Sequence, residues 1–209
     1  MKPLFRSPFS GQYWRESAAV LRSVRILTVS AALLALGAVL QAYFCIPLVI
    51  FGTEQKITAT FLVMSVSSMI FGPLVAIPAG FILDTVAFLL RPDGTYMFWF
   101  AFVIVLKYLI YALFFFRQKI TFRRVAVSHV LTTFLCNIIL NSTLIYLFFS
   151  SRSTAYWIYL LARIPKNLIL VIPELILIWL FMKAICPALA RMKLIPAEQG
   201  QVRLLRKKQ

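Results

Sequence analysis

The sequence predicts an all-α membrane protein of six transmembrane helices with both termini cytoplasmic. Three observations carry this. The 209 residues are 62% hydrophobic and 13% charged, with a mean hydropathy of +0.90, whereas soluble domains run near 45–50% apolar and about 25% charged. The apolar residues fall into runs close to the ~20 residues that a membrane helix needs. Lysine and arginine concentrate in alternate connections, as membrane topology requires.

Residues 1–25 form a cytoplasmic segment that stays polar and aromatic too long to be a cleavable signal. Phe5, Phe9, Tyr13 and Trp14 suit an amphipathic stretch dipping into the membrane interface. The transmembrane domain covers 26–186, with spans near 26–45, 57–71, 74–90, 97–116, 125–149 and 165–186. Gly72-Pro73 breaks the second from the third, since proline cannot continue the preceding helix. The tail, 187–209, is basic and cytoplasmic. One side carries Lys2, Arg6, Arg15, Arg22 and Arg25, then Arg117, Lys119, Arg123 and Arg124, then the tail cations. The other carries only Lys56, Arg91, Arg152, Arg163 and Lys166, so the first side is cytoplasmic.

Composition also excludes function classes. A net charge of +16 would suggest nucleic acid in a soluble protein, but here the cations are topology signals and no aromatic–basic module is present. Cys45, Cys136 and Cys186 form no CxxC pair and His129 is the only histidine, so neither a metal nor a cofactor is expected. A membrane enzyme would need a nucleophile, base or metal cluster, and six Asp plus Glu without a paired-carboxylate motif equip the chain poorly. A stand-alone secondary transporter would show inverted repeats or matched broken helices. Pro78 and Pro173 hint at this only faintly.

Several polar residues stand out against this apolar background. Arg163, Lys166 and Asn167 lie on the outer side, and Pro165 suits the first turn of a helix. Cations at an electropositive helix start need a negative partner. That partner is either lipid phosphate or loop carboxylates such as Glu54 and Asp93, or an anionic ligand. Asp84, Lys107 and Glu174 sit at depths where charges face a partner or a cavity. Lys107 either pairs with a carboxylate internally, or Asp84 is left to accept two parallel hydrogen bonds from a ligand. Asn137 and Asn141 share one helix face and either bind ligand or knit helices. Tyr96, Phe98, Trp99 and Phe100 form an interfacial belt or a lid over the bundle mouth. On the first span Ala31, Ala35, Ala38 and Ala42 surround Gly37, a small-residue pattern for close helix approach, within the bundle or with a membrane partner.

"ITATFLVMSVSSMIFGPLVA", "GFILDTVAFLLRPDGTY", "FFRQKITFRRV", "CNIILN" and "RIPKNLILVIPE", preceded by "SPFSGQYWRE", resemble the folate family of S components of energy-coupling-factor (ECF) vitamin transporters. The resemblance covers roughly residues 7–192, and "MIFGP" and R-x-x-K-N are its most specific elements. It implies a six-helix subunit of the bacterial plasma membrane that captures folate or a related pterin at its outer face. It also implies partners, a membrane scaffold subunit and two ABC-type ATPases; the chain carries no P-loop of its own. Ala31, Ala35 and Ala38 would meet the scaffold. Arg163 and Lys166 would hold the ligand carboxylates, Asp84 the pterin edge, and Tyr96 and Trp99 would stack on the ring, with Asn167 and Asn141 lining the site. The chain departs from the family pattern in "RPDGTYMFWF", in "ITATFL", and at His129 and Thr133 within "SHVLTTFLCN". These departures lie near the expected pocket and leave open a different small vitamin-like ligand.

Overall fold

The computed structural model describes residues 4–5, 10–50, 53–92, 94–149 and 155–202. The described chain is helical apart from one short hairpin. An entry helix, α1 (Gly11–Val20), leads into α2 (Val24–Tyr43), an antiparallel pair of strands β1 (Cys45–Ile50) and β2 (Thr53–Thr58), then α3 (Thr60–Phe71), α4 (Pro73–Leu90) and α5 (Phe98–Phe115). Next come α6 (Phe122–Thr132), a π-helical segment (Thr133–Leu140) and α7 (Asn141–Phe149), which together make one long rod. The last helix is α8 (Tyr156–Arg191), followed by a 3₁₀ turn (Ala197–Gly200).

Each predicted span meets a helix. Among the described residues, five stretches are long and apolar enough to cross a bilayer: Val24–Tyr43, Pro73–Leu90, Phe98–Phe115, Phe122–Phe148 and Tyr156–Arg191. The remaining predicted span is the shorter apolar helix Thr60–Phe71, whose 12 residues rise about 18 Å, less than the ~30 Å hydrocarbon core. The hairpin extends this short element, pairing Cys45 with Thr58 and Ile50 with Thr53. Backbone groups outside a helix are thereby satisfied by a ladder.

The corner between α3 and α4 explains the "FGP" element. Gly72 adopts φ +75°, which favours glycine, and a Cβ there would stand 2.8 Å from Ser17 Oγ and 3.0 Å from the Phe116 ring. Proline follows at the first helical position, where its missing N–H costs nothing. The Leu74 N–H donates to Ser17 Oγ at 3.1 Å, so α1 supplies the acceptor for an α4 start that has no side-chain cap of its own.

The entry helix buries Tyr13, Ser17 and Val20 on one face, and that face turns to the bundle rather than to lipid. Ser10 caps α1 by accepting the Tyr13 N–H, and Tyr13 then points into the protein. It is fully buried, donates its hydroxyl to the Ala112 carbonyl at 2.9 Å, and meets Phe5 and Phe116 edge-on at 5.9 and 5.4 Å. Phe5 and Tyr13 therefore seal the bundle rather than enter lipid, because a buried phenol needs a partner and α5 offers one. Trp14 alone of this group is exposed; Phe9 lies outside the described residues.

The same end is closed by the tail. After α8 the chain turns at Lys193, φ +54°. It buries Leu194 and Ile195 and sends the Gln199 amide to the Phe115 carbonyl. Arg25 donates to the Met192 carbonyl at 2.9 Å. Arg117, buried and at φ +51°, pairs with Glu16 at 3.3 Å. Burial pushes its guanidinium down from the ordinary value and Glu16 opposes that.

Two helix-level expectations change. Pro165 does not open the sixth span: α8 begins at Tyr156 and holds Pro165, Pro173 and Pro187 inside it. "YWIYLLAR" already makes more than two turns before the proline, and a membrane helix tolerates an internal proline where its surroundings compensate the missing N–H. The small-residue stripe of α2 also divides. Ala31 and Ala35 are exposed, whereas Ala38 and Ala42 are buried. Gly37 faces Leu83 of α4 so closely that a Cβ would sit 2.7 Å from it. Ala38 thus packs inside the bundle, and only Ala31 and Ala35 remain reachable by a partner.

Candidate ligand-binding site

A cavity of about 380 Å³ opens in the hairpin half of the bundle. Chain direction gives its depth, because α2, α4 and the α6–α7 rod run toward the hairpin end while α3, α5 and α8 run away from it. Gln41, Thr58, Arg91, Asn141 and Asn167 stand nearest the mouth. Asp84, Lys107, Thr133 and Asn137 occupy the middle. Tyr111, His129 and Glu174 form the floor. Phe61, Met64, Phe88, Ile104 and Leu170 supply apolar walls between these levels. The combination of flat apolar walls and a few converging polar groups is that of a small-molecule site.

The floor is a connected polar group. The Tyr111 hydroxyl lies 2.9 Å from His129 Nδ1. His129 Nε2 lies 3.2 Å from Glu174 Oε2, yet the alignment makes no hydrogen bond there. Tyr111 and His129 are buried, while the Glu174 side chain keeps 19% exposure, into the cavity. Glu174 thus pairs within the bundle, with His129 rather than Lys107. Lys107 stands within electrostatic reach of Glu174 and Asp84, and no ion pair to it occurs among the described residues.

The expected site residues fare differently. Asp84, Asn141 and Asn167 all line the cavity. Asn167 also donates to the Arg163 carbonyl one turn earlier at 2.8 Å. Asp84 is approached by the polar groups of Tyr96 and Gln41. Tyr96 lies behind Asp84 rather than on the cavity wall: its hydroxyl meets Thr85 Oγ1 at 3.1 Å and its ring packs on Phe88 at 5.1 Å. Trp99 is 56% exposed and packs against Phe102, away from the cavity. Arg163 is buried with its guanidinium 5.0 Å from the Tyr159 ring, and it does not line the cavity. The side chain of Lys166 lies outside the described residues, as do those of Glu54 and Asp93. Since α8 starts well before them, Lys166 and Asn167 do not sit at a helix N-terminus.

His129, Thr133, Asn137 and Asn141 recur every four residues and all line the cavity. This stripe was available in the sequence as spacing. The π-helical turn, with the Ser142 hydroxyl reaching back five residues to the Asn137 carbonyl, keeps the four side chains on one face. A ring of 4.4 residues per turn follows such a repeat more closely than 3.6 does, and π segments recur at functional sites. The hydroxyls of Thr60 and Thr133, both buried on the cavity, have no hydrogen-bond partner.

A family model described as ECF transporter, substrate-specific component, matches residues 25–181. Eleven chains of solved structures match. One of them, described as the crystal structure of FolT bound with folic acid, superimposes with a TM-score of 0.64 at 27% identity, over 73% of this chain and 88% of that one. No curated protein matches in a search by sequence.

Proposed function

The chain belongs to the family of ECF transporter substrate-specific components, and from that premise we propose that it captures folate or a related pterin from outside the bacterial plasma membrane. It is a multi-pass membrane protein whose family role is to bind a substrate for transport, not to transform it. In the proposed arrangement all six apolar segments cross the membrane, and the strongly basic closed end is cytoplasmic. The cavity then faces outward. Cargo passes to a membrane scaffold driven by two ABC-type ATPases, and α2 meets the scaffold through Ala31 and Ala35.

The observation that carries this reading is the cavity. Its volume of about 380 Å³ falls in the range of about 300–1,000 Å³ usual for small-molecule sites. Its polar residues are graded along the depth as a long, two-ended ligand requires. Arg91 at the mouth suits a carboxylate, and the carboxylates deeper down suit the N–H donors of a pterin. The solved relative bound to folic acid, alike over most of both chains, supports the ligand class.

The test is purification in detergent, mass spectrometry of any co-purified small molecule, and titration with folic acid. One folate per chain is the expected result. Uptake by cells should require co-expressed scaffold and ATPases, whereas binding should not. A different bound molecule replaces folate as the substrate, and uptake without ATPases favours a stand-alone secondary transporter.

A further inference from the structure

The floor of the cavity holds a donor and an acceptor side by side. Glu174 Oε2 stands 3.2 Å from His129 Nε2, and two opposed lone pairs at that distance would repel. With the proton assigned to Nε2 that repulsion is absent, and Nδ1 is left to accept from the Tyr111 hydroxyl at 2.9 Å. In that assignment Nε2–H is the donor of the floor and the Glu174 carboxylate its acceptor. The Nε2–H is not aligned on Glu174 although the residue is 98% removed from solvent, at 2% exposure. A buried donor without a well-directed acceptor is costly, and both groups open onto the cavity.

We infer that His129 and Glu174 form a specificity subsite that reads a heterocycle edge bearing a carbonyl next to two N–H donors, the 2-amino-4-oxopyrimidine edge, and rejects the 2,4-diamino edge. The inference rests on the proposed pterin-binding role and extends it to a choice between ring types. A carboxylate matches the parallel pair of donors, ring N–H and exocyclic amine. The imidazole N–H then meets the neighbouring carbonyl. In a 2,4-diamino ring the carbonyl is replaced by an amine and the ring N–H beside it by a bare nitrogen, so the new amine faces the imidazole N–H and a lone pair faces one carboxylate oxygen. A site built to hydrogen-bond one group discriminates strongly against a ligand lacking it. The Thr60 and Thr133 hydroxyls, unpartnered on the same cavity, rotate to serve either donor or acceptor and so do not discriminate.

The test compares folic acid with aminopterin, its 4-amino counterpart, by calorimetry on the detergent-purified full chain at neutral pH. Folic acid should bind tighter by about tenfold or more. His129→Gln should shrink that ratio by about threefold, since a carboxamide turns either its oxygen or its amine to the ligand while Glu174 still opposes the bare ring nitrogen. Glu174→Gln should weaken folic acid by about tenfold or more. Thermal unfolding of each variant checks that it is folded; should His129→Gln not fold, the wild-type ratio and Glu174→Gln decide. Tight folic acid binding with equal affinity for aminopterin overturns the inference and leaves the pterin reading intact, as does an unchanged ratio in folded His129→Gln. Failure to bind either compound overturns the pterin reading with it.

Discussion

The two ends of the bundle handle buried polarity in opposite ways. At the basic end, polar side chains act as fasteners between segments distant in sequence. Tyr13 reaches the Ala112 carbonyl, Gln199 the Phe115 carbonyl, and Arg117 meets Glu16. Arg117 Nη1 and Gln199 Oε1 remain unpaired there, but each belongs to a side chain already held by another atom. At the hairpin end, Thr60 and Thr133 have a single polar atom each, buried and unpartnered. One end uses polar groups to close the fold, and the other holds them ready for a ligand. Unmet polarity is expensive, and the Thr60 and Thr133 hydroxyls lie where a ligand in the cavity would satisfy them.

Mutations that strike one end and spare the other sharpen this contrast. Tyr13→Ala has the largest expected effect. It removes a fully buried ring and its hydrogen bond, at about 4 kcal/mol. Thermal unfolding in detergent should shift strongly down, while folic acid affinity in the folded fraction changes less than about twofold. A loss of affinity as large as the loss of stability would mean the ends are coupled. Asp84→Asn should do the reverse. Asp84 lines the cavity, and turning one of its acceptors into a donor should weaken folic acid by about tenfold with little change in unfolding temperature. Unaltered binding would remove Asp84 from the site. Arg163→Ala has the smallest expected effect on the ligand, less than about threefold, because its guanidinium stacks on Tyr159 outside the cavity; an effect as large as that of Asp84→Asn would place Arg163 in contact with the ligand after all.

The helical spans were readable because bilayer insertion depends on summed hydropathy over a window, a local quantity. The predicted span at 97–116 corresponds to Phe98–Phe115, and that at 74–90 to Pro73–Leu90. The start of α8 was misjudged at Pro165 because membrane helices tolerate an internal proline where neighbouring packing compensates it, and that packing is not written in the local sequence. The site was half legible. Asp84 was singled out by the cost of a charge at depth, Asn141 by the face it shares with Asn137, and Asn167 as a member of the outer cluster with Arg163 and Lys166; all three line the cavity. Arg163 and Trp99 were chosen for charge and aromaticity, and neither quantity tells which way a helix turns its face.

By itself the sequence determined the solvent of this protein, the position of its spans, the sidedness its cations favour, and the list of polar groups that cannot be left facing lipid. These follow from composition and from neighbours along the chain. Only the tertiary structure decided which of those groups converge. Tyr111, His129 and Glu174 come from three different helices, and their polarity as a donor beside an acceptor exists only once those helices pack. The physical reason is range: transfer free energy is additive along a segment, whereas hydrogen bonding requires atoms from distant segments within about 3 Å of one another.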